Sequence, residues 1–146
     1  MKLETKKVSN REHSDEAYIL NLCDELLGLL GLRQHRFDFL KGDSGTKLPV
    51  DIYYPRLKLV IEYREKQHSE EVKFFDQRKT SSGMTRGEQR KKYDELRRIE
   101  IPKNDISLIE FDYSEFEHKK TKKLSREREK DIKIIETKLK NYITPT

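Results

Sequence analysis

Two runs of β-branched and aromatic residues, Val50 to Tyr54 and Leu57 to Tyr63, stand on either side of Pro55-Arg56. Nothing else in the chain restricts its fold as tightly, because such runs with so short a connection read as antiparallel strands joined by a tight turn. With the turn centred between Arg56 and Leu57, opposed residues have numbers summing to 113, and Asp51 then faces Glu62. Opposed Cβ atoms lie roughly 5 Å apart, where two like charges repel unless something positive is set between them. A divalent cation meets that need, since two carboxylates and a few waters are the usual protein share of a Mg²⁺ site. The period of two puts Arg64 and Lys66 on the face of Glu62 and sends Ile61 and Tyr63 the other way, toward a core. Acid and base thus converge on one side, as phosphodiester hydrolysis requires. The competing expectation is an ordinary half-exposed hairpin, with Asp51 and Glu62 in solvent and balanced by Arg64 or Lys66.

The order of these residues resembles the PD-(D/E)XK nuclease superfamily. Its pattern is matched by Pro49-Val50-Asp51, ten intervening residues, and Glu62-Tyr63-Arg64. Two departures stand out: one residue separates Pro49 from Asp51, and Arg64 occupies the place of lysine. Arginine stays protonated and cannot be a base, although it can hold a phosphate. Ile61-Glu62-Tyr63 followed by Gln67-His68 is similar to the compact branch related to very-short-patch repair endonucleases. The resemblance implies a restriction-endonuclease-like three-layer α/β fold, with a central mixed sheet flanked by helices. It also implies hydrolysis of DNA with Mg²⁺ or Mn²⁺ held by Asp51 and Glu62, and joined by Glu16 from the first helix. Lys66 would supply what the missing lysine does, Arg64 would stabilise phosphate, and Gln67 and His68 would orient water or the leaving group. His68 could donate a proton near neutral pH.

Before the hairpin, Leu20, Cys23, Leu27 and Leu30 recur at helical spacing, which predicts a helix from about Ser14 to Leu30 stopped by Gly31. Glu16 shares the face of Leu20 in its first turn, although an acid there also suits a helix N-terminus for its own sake. His35, Phe37 and Phe39 alternate with Arg36 and Asp38 in a first strand ending near Leu40. Gly42-Asp43-Ser44-Gly45 matches the nucleophile peptide of chymotrypsin-like proteases, but the chain is too short for that double barrel and a Gly-rich turn suffices.

After His68, the chain passes through Val72, Phe74 and Phe75 to Arg78-Lys79, and then through a small, polar loop from Thr80 to Met84. Thr85-Arg86-Gly87-Glu88 fits the Ser/Thr-X-X-Glu box that opens a helix, which is expected to end near Arg98. That helix is rich in cations, and two uses stay open for them. Glu88 and Asp94 can neutralise them at three- or four-residue spacing, or they can face phosphate. The nuclease resemblance favours nucleic-acid contacts by Arg86, Arg90 and Lys92, beside Arg78 and Lys79. Ile106 to Tyr113 reads as a further strand that can pair parallel with the second hairpin strand. His118 to Lys123 is a basic connector. A last helix from about Ser125 carries Ile132, Ile135, Leu139 and Tyr142 on one stripe, for packing on the sheet or for a homodimer.

At 146 residues, one domain with its own core is expected, preceded by a loose arm over Met1 to Asn10. The 32 basic and 27 acidic residues give +5, which is compatible with a polyanionic partner and silent on sequence preference. The single cysteine, Cys23, excludes an internal disulfide and a cysteine zinc cluster. Without an apolar run of roughly 20 residues or a signal segment, a cytoplasmic protein with no membrane partner is expected. Two further function classes remain: a nucleic-acid-binding module on a degenerate nuclease fold, and an interaction domain working through the last helix.

Overall fold

The structure, a computed structural model, describes residues 13–65 and 84–143. The expectations for the arm over Met1 to Asn10, for Lys66, Gln67 and His68, and for Arg78 and Lys79 lie outside the described residues. In chain order the elements are α1 (Asp15–Leu27), β1 (Leu32–Lys41), β2 (Lys47–Tyr54), β3 (Leu59–Arg64), α2 (Arg86–Lys103), β4 (Ser107–Asp112) and α3 (Arg128–Leu139). Single 3₁₀ turns follow β2 and β4, at Pro55–Leu57 and Tyr113–Glu115. The sheet runs β1-β2-β3-β4, with the first two pairs antiparallel and β3 parallel to β4. The α/β fold with a central mixed sheet is therefore present, and the parallel partner of β3 is the strand the sequence offered for it.

Alternation along β3 divides the core into two layers. Leu59, Ile61 and Tyr63 pack with Ile19, Leu20, Leu22 and Cys23 of α1 and with Ile135 and Leu139 of α3. Val60 faces the other way, into a cluster with Leu40, Leu48, Val50, Ile101 and Ile106 that α2 covers. Each fully buried Leu or Ile in these layers is worth about 1.5–3 kcal/mol of transfer free energy. All six residues of β3 are buried, Glu62 and Arg64 included, because α2 lies over their face. For Glu62 that cover excludes the half-exposed hairpin expected as an alternative, while Asp51 is half-buried.

Several boundaries differ from the sequence reading, each for a local reason. α1 stops at Leu27 rather than Leu30, since Gly28 adopts φ +66° and its N–H donates to Asp24 O, a left-handed cap that favours glycine. Leu30, expected on the apolar stripe, is consequently 84% exposed. Gly31, expected as the stop, instead lies against β2, where an added Cβ would fall 2.4 Å from the side chain of Ile52. α2 continues past Arg98 to Lys103 because Ile101 is fully buried in the second cluster, with Pro102 tolerated in the last turn. The Gly42 to Gly45 peptide is the β1–β2 hairpin turn, closed by Gly42 N–H donating to Thr46 O at 2.9 Å. In α3, Ile135 and Leu139 are spent on the chain's own core, so the homodimer expected of that stripe finds no support here.

Candidate active site

β2 and β3 hold the expected register: Tyr54 pairs with Leu59, Tyr53 with Val60 and Ile52 with Ile61. The ladder then gives way to side chains. Asp51 N–H donates to Glu62 Oε2 at 2.5 Å, and Tyr63 N–H donates to Asp51 Oδ2 at 2.8 Å. Each carboxylate thus takes the place of a backbone acceptor on the neighbouring strand, and this exchange brings the two acids together. Asp51 also marks a change of face. Ile52 and Tyr54 pack toward α1, whereas Val50 and Leu48 pack toward α2. On the adjacent β1, between the pairs Arg33 with Ile52 and His35 with Val50, Gln34 adopts φ +51°. A simple period of two through Val50 misses this inversion.

Around Glu62 the face of the sheet under α2 is a chain of alternating charges. Arg97 donates from Nε and Nη2 to Pro49 O at 3.2 and 2.9 Å and from Nη1 to Asp94 Oδ1 at 3.2 Å, while its Nε lies 3.6 Å from Glu62 Oε1. Arg64 reaches Asp94 Oδ2 at 2.6 Å and donates from Nε to Glu110 Oε1 at 3.0 Å. Arg98 donates to the same Glu110 at 2.9 Å. Buried charges persist only when paired in this manner. Counting Asp51, the group holds four carboxylates and three guanidiniums.

The protonation behaviour follows from that balance. Glu62 is only 7% exposed. Its burial, and next the adjacent Asp51, push its carboxyl up to about 8, against the pull of Arg97, the Asp51 N–H and Arg64. Burial would raise Glu110 as well, but hydrogen bonds from Arg64 and Arg98 outweigh it and hold that carboxyl below its ordinary value. The excess negative charge therefore gathers at the Asp51–Glu62 end.

The family model described as restriction endonuclease PvuRts1 I-like, N-terminal, matches residues 5–143. The chain belongs to this family. No curated protein and no solved structure matches the chain. Membership makes it a restriction-endonuclease-type nuclease, a class that cuts DNA. Among the described residues, no helix is long and apolar enough to cross a membrane.

Within this restriction-endonuclease chain, the residues singled out by sequence fall into three groups. Asp51 and Glu62 come together. Arg64 shares the face of Glu62, as strand period requires, but its guanidinium is committed to Asp94 and Glu110. Glu16 stands in the first turn of α1, a helix that packs on the opposite face of the sheet. Among the described residues, no group of three or more Asp, Glu, His or Cys side chains comes together as a metal cluster. On α2, Arg86 is exposed, Arg90 is half-buried, and Lys92 is paired with Asp43 at 2.6 Å.

Four members of the charge network, Asp94, Arg97, Arg98 and Glu110, were not singled out. Arg97 and Asp94 look, in sequence, like one more three-residue helical pair. Glu110 looks like a strand acid between Ile109 and Phe111, yet the parallel register sets it level with Glu62.

The donor set suits a hard divalent cation: two adjacent carboxylates, one of them too buried to stay ionised unaided, at the negative end of the network. Asp51 and Glu62 are the residues that would hold it.

Proposed function

We propose that this chain is a metal-dependent endonuclease that hydrolyses DNA phosphodiester bonds at Asp51 and Glu62, in the manner of the PD-(D/E)XK superfamily and its compact very-short-patch-repair-like branch. The whole matched span is taken as a single nuclease domain. The observation that carries the reading is the crossed pair of hydrogen bonds that sets these two carboxylates side by side in a restriction-endonuclease chain. Mg²⁺ or Mn²⁺, when bound, activates water and offsets charge on the phosphate.

The remaining roles belong to the protein. Arg97, tied to Pro49 O on β2 and lying against Glu62 on β3, fixes the spacing between the strands that present the acids. Arg64 braces the floor of the site by joining β3 to α2 and β4. With Arg64 engaged, the lysine's part in the chemistry is assigned to Lys66. Gln67 and His68 are assigned to orient water and the leaving group, with His68 as proton donor. Arg86 and Arg90 are assigned to phosphate contacts outside the cut bond, together with Arg78 and Lys79; Lys92 serves there only when released from Asp43.

The test is nicking of supercoiled plasmid by the purified chain in Mg²⁺ or Mn²⁺. Asp51→Ala and Glu62→Ala are expected to abolish nicking while circular dichroism shows a retained fold. Nicking equal to wild type in both variants rules out this site. A second reading, a DNA-binding module without hydrolysis, is favoured by the burial of Arg64 in ion pairs where the superfamily pattern has lysine. Plasmid retention without nicking in either metal would select it.

A further inference from the structure

β4 leaves the sheet beside the end of β3, where Asp112 pairs with Arg64, two residues beyond Glu62. The connector that follows is folded rather than loose. His118 and Leu124 form a bridge, Lys119 N–H donates to Lys123 O, and Lys122 N–H donates to Lys119 O, both at 2.8 Å. Its base is pinned to α1, where Leu124 N–H and Arg126 both donate to the Asp15 carboxylate. Ser125 N–H closes the loop on Glu117 O at 2.8 Å.

This turn concentrates charge. Lys119, Lys120 and Lys123 are exposed and have no acidic partner among the described residues, and Lys122 stands over the Tyr113 ring at 5.7 Å. The nearby acids are engaged elsewhere, Glu115 by Lys138 at 2.7 Å and Glu117 by Lys130 at 3.3 Å. Other cations near the sheet have acidic partners, among them Arg33 with Asp24, Lys47 with Asp38 and Lys92 with Asp43. Like charges held in one rigid turn repel each other, and a polyanion laid against them relieves the repulsion.

We propose that the Lys119 to Lys123 turn is a second DNA-contacting element, which grips backbone phosphates at the end of the sheet that carries the acid pair. This rests on the DNA-cleaving reading above and adds to it a surface on the α1 side of the sheet, away from α2. A duplex lying across that end would meet Asp51 and Glu62 at the bond to be cut and the lysines at a neighbouring stretch of backbone. Such contacts position the duplex and carry no sequence information.

The test is fluorescence anisotropy of a labelled duplex in EDTA, where binding is read without cleavage, over a range of KCl concentrations. One variant combines Lys119→Gln, Lys120→Gln and Lys123→Gln. Its control combines Arg56→Gln, Lys58→Gln and Lys103→Gln, which removes the same charge from exposed positions at the opposite end of β3 and β4. The slope of log K against log salt should shrink by about 2–3 in the turn variant and by less than about 1 in the control. The corresponding Lys→Arg triple variant should restore the slope. A turn variant with the wild-type slope, or one that loses no more than the control, overturns the inference; so does wild-type protein that fails to bind duplex at any salt. Plasmid nicking by wild type, measured separately, reports on the catalytic reading whatever the slopes show.

Discussion

Replacing Arg64 by lysine would supply the residue that the proposed PD-(D/E)XK alignment calls for at that position, so that alignment and the structure predict opposite results. Arg64 contacts Asp94 at 2.6 Å and Glu110 at 3.0 and 2.9 Å, joining α2 and β4 to β3 through three nitrogens of one planar group. An ammonium is a single point and cannot span both acids. The variant keeps one contact and forfeits one or two hydrogen bonds to charged groups, worth about 1.5–3 kcal/mol each. Arg97 still answers Asp94 and Arg98 still answers Glu110, which limits the loss. We expect Arg64→Lys to destabilise by about 2–4 kcal/mol, below the roughly 3–5 kcal/mol of breaking an isolated buried pair. For a chain of this size that is a fall in Tm of roughly 6–15 °C. Urea unfolding followed by circular dichroism measures the first quantity and thermal melting the second, while plasmid nicking at a temperature where both proteins are folded should show no gain in rate. Unchanged stability together with faster nicking would refute the bracing role and return Arg64 to the chemistry.

Two further outcomes follow from the same packing. Glu62 ionises near 4.5 in the unfolded chain but only near 8 in the fold, so the folded form holds the extra proton between those values. The metal-free protein should therefore lose stability as pH rises from about 4.5 to about 8, and no further above that. Glu62→Gln should remove that slope and gain on wild type by on the order of 2–4 kcal/mol at pH 9; parallel stability–pH curves for the two proteins would contradict the buried, charge-crowded Glu62. Gly31→Ala should cost about 1–3 kcal/mol by forcing a methyl into the side chain of Ile52, and chemical denaturation with wild-type stability would show that β2 yields there at no cost.

The hairpin register was readable because a short turn and a strict two-residue period leave one alignment that buries Ile52, Tyr54, Ile61 and Tyr63 together. That alignment placed Asp51 beside Glu62, and it put Arg64 on the correct face. What the period could not tell is what lies above that face. Asp94, Arg97 and Glu110 are 30 to 46 positions away from the β3 residues they pair with, and each has a plausible local explanation on its own element. The inversion at Asp51 was hidden for a related reason. Leu48, Val50, Ile52 and Tyr54 are all buried in perfect alternation, yet they belong to two different layers. In α1, two glycines three residues apart could each stop a helix. Gly28 does so through its backbone, while Gly31 is needed for its missing side chain. Arg90 and Lys92 show how weakly composition assigns a basic helix, since Lys92 already has an acid on the β1–β2 turn.

Binding of Mn²⁺, followed by the loss of its free electron paramagnetic resonance signal, reports directly on the two carboxylates. Wild type should take up the ion, Asp51→Asn and Glu62→Gln should each lose that uptake, and the double variant should lose no more than either alone, because both groups hold one ion. Full Mn²⁺ uptake in both single variants would mean that these acids meet only to cross-link β2 and β3.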